Sequence, residues 1–191
     1  MDVKWSPDGT KFAVASGAKV VPVCHYESHN DWWISKMIKK HKSTVTSVAW
    51  HPNSQLLATG STDFRCRVFS AFIKDIDRPT NSILGDTGRF SFGDQIVDFD
   101  ASNGWVEGVA WSPSGNQLAF VGHDSSISFV DFEGGSSVCK SLKSKELPNQ
   151  KVMFLSDTVV VAGGHNFKPE LYQRGKEGSW EYMGSPDQNS S

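Results

Sequence analysis

The sequence predicts an all-β chain made of repeated four-stranded antiparallel sheets, and three observations predict it. First, one phrase recurs as Trp5-Ser6-Pro7-Asp8-Gly9, Trp50-His51-Pro52-Asn53-Ser54 and Trp111-Ser112-Pro113-Ser114-Gly115. Second, each copy follows a short alternating stretch, such as Thr46, Val48 and Trp50, and precedes an apolar run that ends in small residues. These runs are residues 12–17, 56–61 and 117–122. Third, the copies keep a period of about 45 residues, stretched between Trp50 and Trp111 by an insertion. A degenerate fourth copy begins at Val152-Met153-Phe154-Leu155 and continues through residues 158–164.

Within a unit, Trp ends one strand and a tight turn follows, because Pro presets φ and Gly accepts positive φ. A short strand returns, and a third follows a second turn. In the second unit the third strand is Arg65-Cys66-Arg67-Val68-Phe69, with Cys66 and Val68 on one face and Arg65 and Arg67 on the other. In the third unit Ile127 and Phe129 take the buried parity against Ser126 and Ser128. Four strands per unit of this length, repeated, are the signature of β-propeller blades.

Composition narrows the function classes. The 191 residues carry 19 basic and 21 acidic side chains, a net charge of −2, so no global field draws the chain to nucleic acid or anionic lipid. No apolar run approaches the roughly 18 residues that span a bilayer, and the N-terminus lacks the apolar core of a signal peptide, so a soluble chain is expected. Three widely spaced cysteines argue against a disulfide framework and fit a reducing compartment.

The second unit carries a recognisable resemblance. Residues 41–52 look like the opening strand of the WD-repeat family, with His41 in the place of its Gly-His histidine. Asp63 matches the turn aspartate, and Phe69-Ser70 stands where the Trp-Asp pair would be. In the third unit Asp124 matches the turn aspartate and Val130-Asp131 keeps only the Asp. Asp100-Ala101 replaces Gly-His there, so this unit cannot make the family's His, Ser/Thr, Asp, Trp tetrad. Longer phrases resemble the WD-repeat subunits of the actin-related protein 2/3 complex, in order over most of residues 1–132: residues 5–21, Trp32-Trp33-Ile34-Ser35-Lys36, residues 41–52, residues 61–74 and residues 103–127. Beyond Lys140 the similarity thins, although residues 155–165 still resemble the next blade.

That resemblance implies a seven-bladed propeller in the cytoplasmic actin cytoskeleton, a non-catalytic scaffold whose partners are the other subunits of the complex and actin, supporting branched filament nucleation. Strands for about four blades are present, at residues 1–40, 41–100, 101–148 and 149–183, with an insertion at 70–93 and a polar, disordered tail at 184–191. An open arc with two unpaired sides is therefore expected, a truncated form lacking two blades before Met1 and one after Ser191. The family's filament-facing insertion before its last blade is also absent. A WD-repeat adaptor of another cytosolic complex, or a non-functional truncated product, is the alternative.

No enzyme site emerges from the residues. His25, His29, His41, His51, His123 and His165 form no metal-ligand spacing, and Cys24, Cys66 and Cys139 fall at strand parity, which favours core packing. No metal, catalytic group or cofactor is expected. A propeller enzyme would need titratable groups converging at the channel mouth, where the repeat turns supply Gly, Ser and single Asp residues.

Candidate contact residues are of three kinds. Trp32 and Trp33 are adjacent in a strand, so if one ring packs between blades the other faces outward as a possible interface anchor. Lys36, Lys39 and Lys40, with His41 and Lys42, form the one dense basic run, suited to an acidic partner. The insertion is long enough to suggest a role, and Phe72, Ile73, Lys74 and Ile76 are its expected contact segment. Trp105 and Trp180 are expected to pack at strand or rim positions. Trp5, His41, Trp50, Asp63, Trp111 and Asp124 are the structural marks of the repeat.

Overall fold

The computed structural model describes residues 1–132 and 136–186, and the expected tail lies outside them from residue 187 on. Gly184, expected to start that tail, instead ends a strand. The first sheet runs β1 (Val3–Trp5), β2 (Lys11–Val14), β3 (Val21–Glu27) and β4 (Trp32–Ile38). The second contains β5 (Val45–Trp50), β6 (Leu56–Ser61) and β7 (Cys66–Ser70). Its outer strand arrives only after the insertion, which carries a two-stranded hairpin of β8 (Asn81–Ser82) and β9 (Gly85–Asp86) and a 3-10 turn at Thr87–Arg89. That outer strand is β10 (Gln95–Phe99). The third sheet is β11 (Val106–Trp111), β12 (Gln117–Gly122), β13 (Ser126–Asp131) and β14 (Val138–Lys143). The fourth is β15 (Asn149–Ser156), β16 (Val159–Gly164), β17 (Glu170–Arg174) and β18 (Trp180–Gly184). All four are antiparallel meanders. No sheet pairs with another, and no ring closes among the described residues.

The four sheets pack face to face in series, and the core is divided accordingly. Ala13, Val21, Val23 and Ile38 of the first blade meet Val45, Val48, Trp50, Leu57 and Phe69 of the second. Leu56, Cys66, Val68 and Phe99 of the second meet Val109, Trp111, Leu118 and Phe132 of the third. Ala119, Ile127 and Phe129 of the third meet Phe154, Val160, Tyr172 and Trp180 of the fourth. The middle blades are thus apolar on both faces, which is why β6, β7 and β12 are buried at every position rather than alternating.

One consequence corrects the sequence reading. Cys66 and Val68 share a face with Arg67 on the other, as alternation predicts, but Ser126 and Ser128, set against the buried parity of Ile127 and Phe129, are buried too, and the face carrying Arg67 is itself interior because it lies against the first blade. Arg67 is 4% exposed. A second correction concerns the insertion. Phe72 and Ile73, expected at a contact surface, are buried in the chain's own interior, at 8% and 1% exposure, while Lys74 and Ile76 stay outside. The insertion folds back along the rim: Gln55 Nε2 donates to the Arg78 carbonyl at 2.6 Å, and Gln55 Oε1 accepts from Thr87 Oγ1 at 2.5 Å. Further along, Ile83 and Leu84 pack on the core between the second and third blades.

Candidate interaction surfaces

The polar groups at the blade turns bond to one another within the chain. In the second blade, Asp63 accepts from the Lys42 backbone N–H at 2.9 Å and from Arg67 Nη1 at 2.9 and 3.0 Å. Burial pushes its carboxyl up, but these donors outweigh burial and hold it below the ordinary carboxylate value. His41 Nδ1 lies 3.3 Å from Arg67 Nη1. A guanidinium only donates, so Nδ1 accepts and His41 is neutral. Burial first, and the Arg67 charge second, pull the imidazole down to about 4. The His41 ring also meets the Phe69 ring edge-on at 5.4 Å. Arg67 has thus taken over the donor role toward Asp63, and Phe69 gives an aromatic surface without an N–H.

The other blades solve the same problem differently. Asp124 of the third accepts from the Asn103 N–H at 3.1 Å and from the Ser126 backbone and hydroxyl. In the fourth, Glu170, 1% exposed, accepts from Asn149 Nδ2 at 2.8 Å, Asn166 Nδ2 at 3.0 Å and the Tyr172 hydroxyl at 2.6 Å. Among the described residues no group of three or more His, Cys, Asp or Glu side chains is arranged to hold a metal ion. Cys66 is buried and Cys24 and Cys139 are half-buried, all three free thiols. Burial pushes the Cys139 thiol up to about 11, away from the thiolate that reactivity requires.

The repeat tryptophans fit between blades. Trp50 Nε1 donates to the Lys4 carbonyl of the preceding blade at 2.9 Å. Trp111 meets His51 of the preceding blade edge-on at 4.8 Å, and both Trp50 and Trp111 are 8% exposed. Trp5 occupies the same position in the first blade and is 57% exposed. Trp180 is buried, stacked on Phe129 across the third interface with centroids 4.2 Å apart. Trp105 is exposed against His123.

Strand alternation sends Trp32 and Trp33 to opposite faces, yet neither packs between blades: they are 69% and 47% exposed. Trp33 joins Trp5, Phe12 and Tyr26 in an aromatic cluster with centroid separations of 5.2 to 6.1 Å. Lys39, Lys40 and Lys42 are exposed. Lys36 is half-buried, its ammonium 5.9 Å from the Phe92 ring, where the end of the insertion comes back over β4. Lys36 alone of the basic run is seen beside the insertion, whereas the Lys42 N–H donates to Asp63 in the β6–β7 turn.

The sequence reading missed two residues here. Lys11 is fully buried and reaches Asp77 of the insertion, and nothing local marks it, since Leu56 and Gln117 hold the equivalent positions in the next blades. Arg67 could have been found: an arginine on a strand flanked by blades on both sides needs a buried acid, and Asp63 stands four residues before it.

Comparison with known proteins adds a family context. Residues 32–70 and 93–132 match the family model described as "WD domain, G-beta repeat". Actin-related protein 2/3 complex subunit 1A of Arabidopsis thaliana is 50% identical over 182 residues, 95% of this chain and 48% of that protein. Actin-related protein 2/3 complex subunit 1A-B of Xenopus laevis is 46% identical over 189 residues, 97% of this chain and 50% of that protein. Actin-related protein 2/3 complex subunit 1 of Schizosaccharomyces pombe is 40% identical over 194 residues, covering 99% and 50%. The chain spans about half the length of the curated relatives it matches. Among solved structures, "Structure of U3-55K" matches with a TM-score of 0.70 at 16% identity, over 96% of this chain and 52% of that one. "Crystal structure of RRP9 WD40 repeats" matches at 0.69 and 17%, over 96% and 51%. At such identities the likeness is one of fold.

Proposed function

We propose, for a chain that is a WD-repeat homologue of subunit 1 of the actin-related protein 2/3 complex, that it serves as a non-catalytic scaffold in such a complex, in the cytoplasmic actin cytoskeleton. The observation that carries this reading is identity to those subunits spread over nearly the whole chain. The internal use of the turn carboxylates supports it, because Asp63 and Glu170 are saturated with donors from their own blades and leave little free to do chemistry.

On this reading the contact surface is the rim formed by β4 and the insertion. Trp32 is its apolar anchor, and Lys36, Lys39, Lys40 and Lys74 give it the positive field that an acidic partner such as actin would meet. Ile76, 40% exposed, adds apolar area at the edge. The role in branched filament nucleation is that of holding other subunits in place through many modest contacts.

Affinity purification of the tagged chain from cells, with the recovered proteins identified by mass, tests this. Recovery of actin-related subunits is expected. A stable set of other proteins without them would overturn the reading.

A further inference from the structure

The stretch that forms β10 through β13 is acidic. Between Arg89 and Lys140 it holds seven aspartates and glutamates and no lysine or arginine. Asp98 and Asp100 meet Arg65 of the second blade, and Asp131 meets Arg174 of the fourth. Glu107 and Asp124 meet neither kind of cation among the described residues. Trp105 stands beside these two at the entry to β11, 49% exposed, in a blade packed on both sides by its neighbours.

The repeat supplies its own controls. In the last three blades the residue before the first strand accepts, through its carbonyl, from an N–H of the turn after the second strand: Thr44 from Thr62, Trp105 from His123 and Pro148 from His165. Two residues on, each first strand carries one extra residue that bulges from the ladder, namely Thr46, Glu107 and Gln150. The Thr46 hydroxyl is spent on the Val106 carbonyl, and Gln150 Nε2 donates to His165 Nε2 at 3.1 Å. Glu107 alone of the three is charged, and among the described residues its carboxylate is paired only with His123 Nδ1, at 3.5 Å. Trp105 alone puts a large ring at its position. The fold needs neither, since Thr44 with Thr46 and Pro148 with Gln150 fill the same places.

The two groups converge on one imidazole. The Trp105 ring lies against His123 with centroids 5.5 Å apart, and His123 meets His165 edge-on at 5.8 Å. The backbone under the indole is fixed, because a Cβ on Gly104 would lie 2.9 Å from the Asp124 nitrogen. An indole face and an underpaired carboxylate within one side chain's reach match a guanidinium, which stacks on the ring and forks to the carboxylate. An ammonium has neither the plane nor the fork.

We propose that Trp105, Glu107 and His123 form a site for an arginine side chain of a protein partner, at the turn end of the third blade. The acidic stretch around it steers a basic segment to this surface, which sets it apart from the basic residues of β4 and the loop after it. His165, held neutral at Nε2 by the Gln150 amide, forms the wall on the side of the fourth blade.

The indole N–H resonance of Trp105, assigned by its loss in Trp105→Phe, reads the site in the purified chain. The probe is N-acetyl-arginine methylamide, with the lysine analogue and the uncharged citrulline analogue as controls. A saturable shift is expected for arginine at about 1–10 mM, several-fold weaker for lysine and absent for citrulline. Glu107→Gln is expected to weaken the arginine response about tenfold while the remaining indole signals stay where they were. No saturable shift up to about 50 mM arginine, the upper end for so small a ligand, overturns the proposal. So does a response that lysine or citrulline equals, or one that Glu107→Gln leaves unchanged.

Discussion

Lys11 Nζ lies 2.5 Å from a carboxylate oxygen of Asp77, and the two side chains are 0% and 3% exposed. This ion pair ties the second strand of the first blade to the insertion of the second. Asp77 also accepts from the Ile73 N–H at 2.7 Å, and Lys11 donates to the Ala71 carbonyl at 3.2 Å, so both charges are hydrogen-bonded beyond each other. The aliphatic stem of Lys11 lies between the blades, its ammonium 5.5 Å from the Trp50 ring.

Breaking a buried pair from one side strands the other charge, which costs about 3–5 kcal/mol, whereas replacing a buried charge pair by apolar groups is often neutral. Asp77→Ala is therefore expected to lower unfolding free energy in urea by about that amount, and Lys11→Met with Asp77→Leu together by much less. Equal losses in the single and double variants would show that the pair is not coupled.

The neutral His41 gives the fold an acid sensitivity of its own. Its value is about 4 in the folded chain against 6.5 for the free side chain, so between those limits the unfolded chain binds more protons and stability falls as pH falls. The loss begins near pH 6.5 and levels off near pH 4, with a full size of about 3 kcal/mol. Asp63, held below its ordinary value, adds its own loss at lower pH. Urea unfolding at pH 7 and pH 4.5 should show this slope in the unaltered chain and a shallower one in His41→Phe. A slope unchanged by the substitution would exclude His41 as its source.

Gly115 sits at φ +77, and a Cβ there would lie 2.3 Å from His51 Nε2, which itself is 3.1 Å from the Gly115 carbonyl. Gly115→Ala is expected to cost at least about 1 kcal/mol from backbone strain, with more from the displaced imidazole. Because the two residues share one contact, Gly115→Ala should cost less in a His51→Ala background. Strict additivity in thermal or urea melts would contradict the contact.

The two tryptophans expected at strand or rim positions separate cleanly by environment. Trp180→Ala removes a ring stacked on Phe129 at the third interface and should cost about 3–5 kcal/mol. Trp105→Ala removes a half-exposed ring and should stay within about 1 kcal/mol. Similar melting temperatures for the two variants would count against the packing described.

The blade pattern was legible because it is written locally. Trp5, Trp50 and Trp111 close the first strands of three blades, and the Pro that follows, with Gly9, Ser54 or Gly115 at positive φ, sets the turn, so period and strand order follow from short-range rules. What lay hidden depends on which blade stands next. Parity put Arg67 opposite Cys66, but only the first blade across from it turns that face into an interior. Phe72 and Ile73 read as a loop's contact residues because nothing in the insertion says that it folds back along the rim. Lys11 drew no reading at all, because its acid lies 66 residues further along the chain. Trp32 and Trp33 were placed on opposite faces correctly by alternation, which could not say that both faces are open at that end of β4.

The most direct test of the proposed scaffold role is incorporation. Actin-related protein 2/3 complex assembled without its own subunit 1 is mixed with the purified chain and passed over a sizing column. Co-elution of the chain with the complex is expected, reduced about tenfold or more by Trp32→Ser together with Lys39→Glu and Lys40→Glu. A chain that elutes apart from the complex at micromolar concentration would contradict the account.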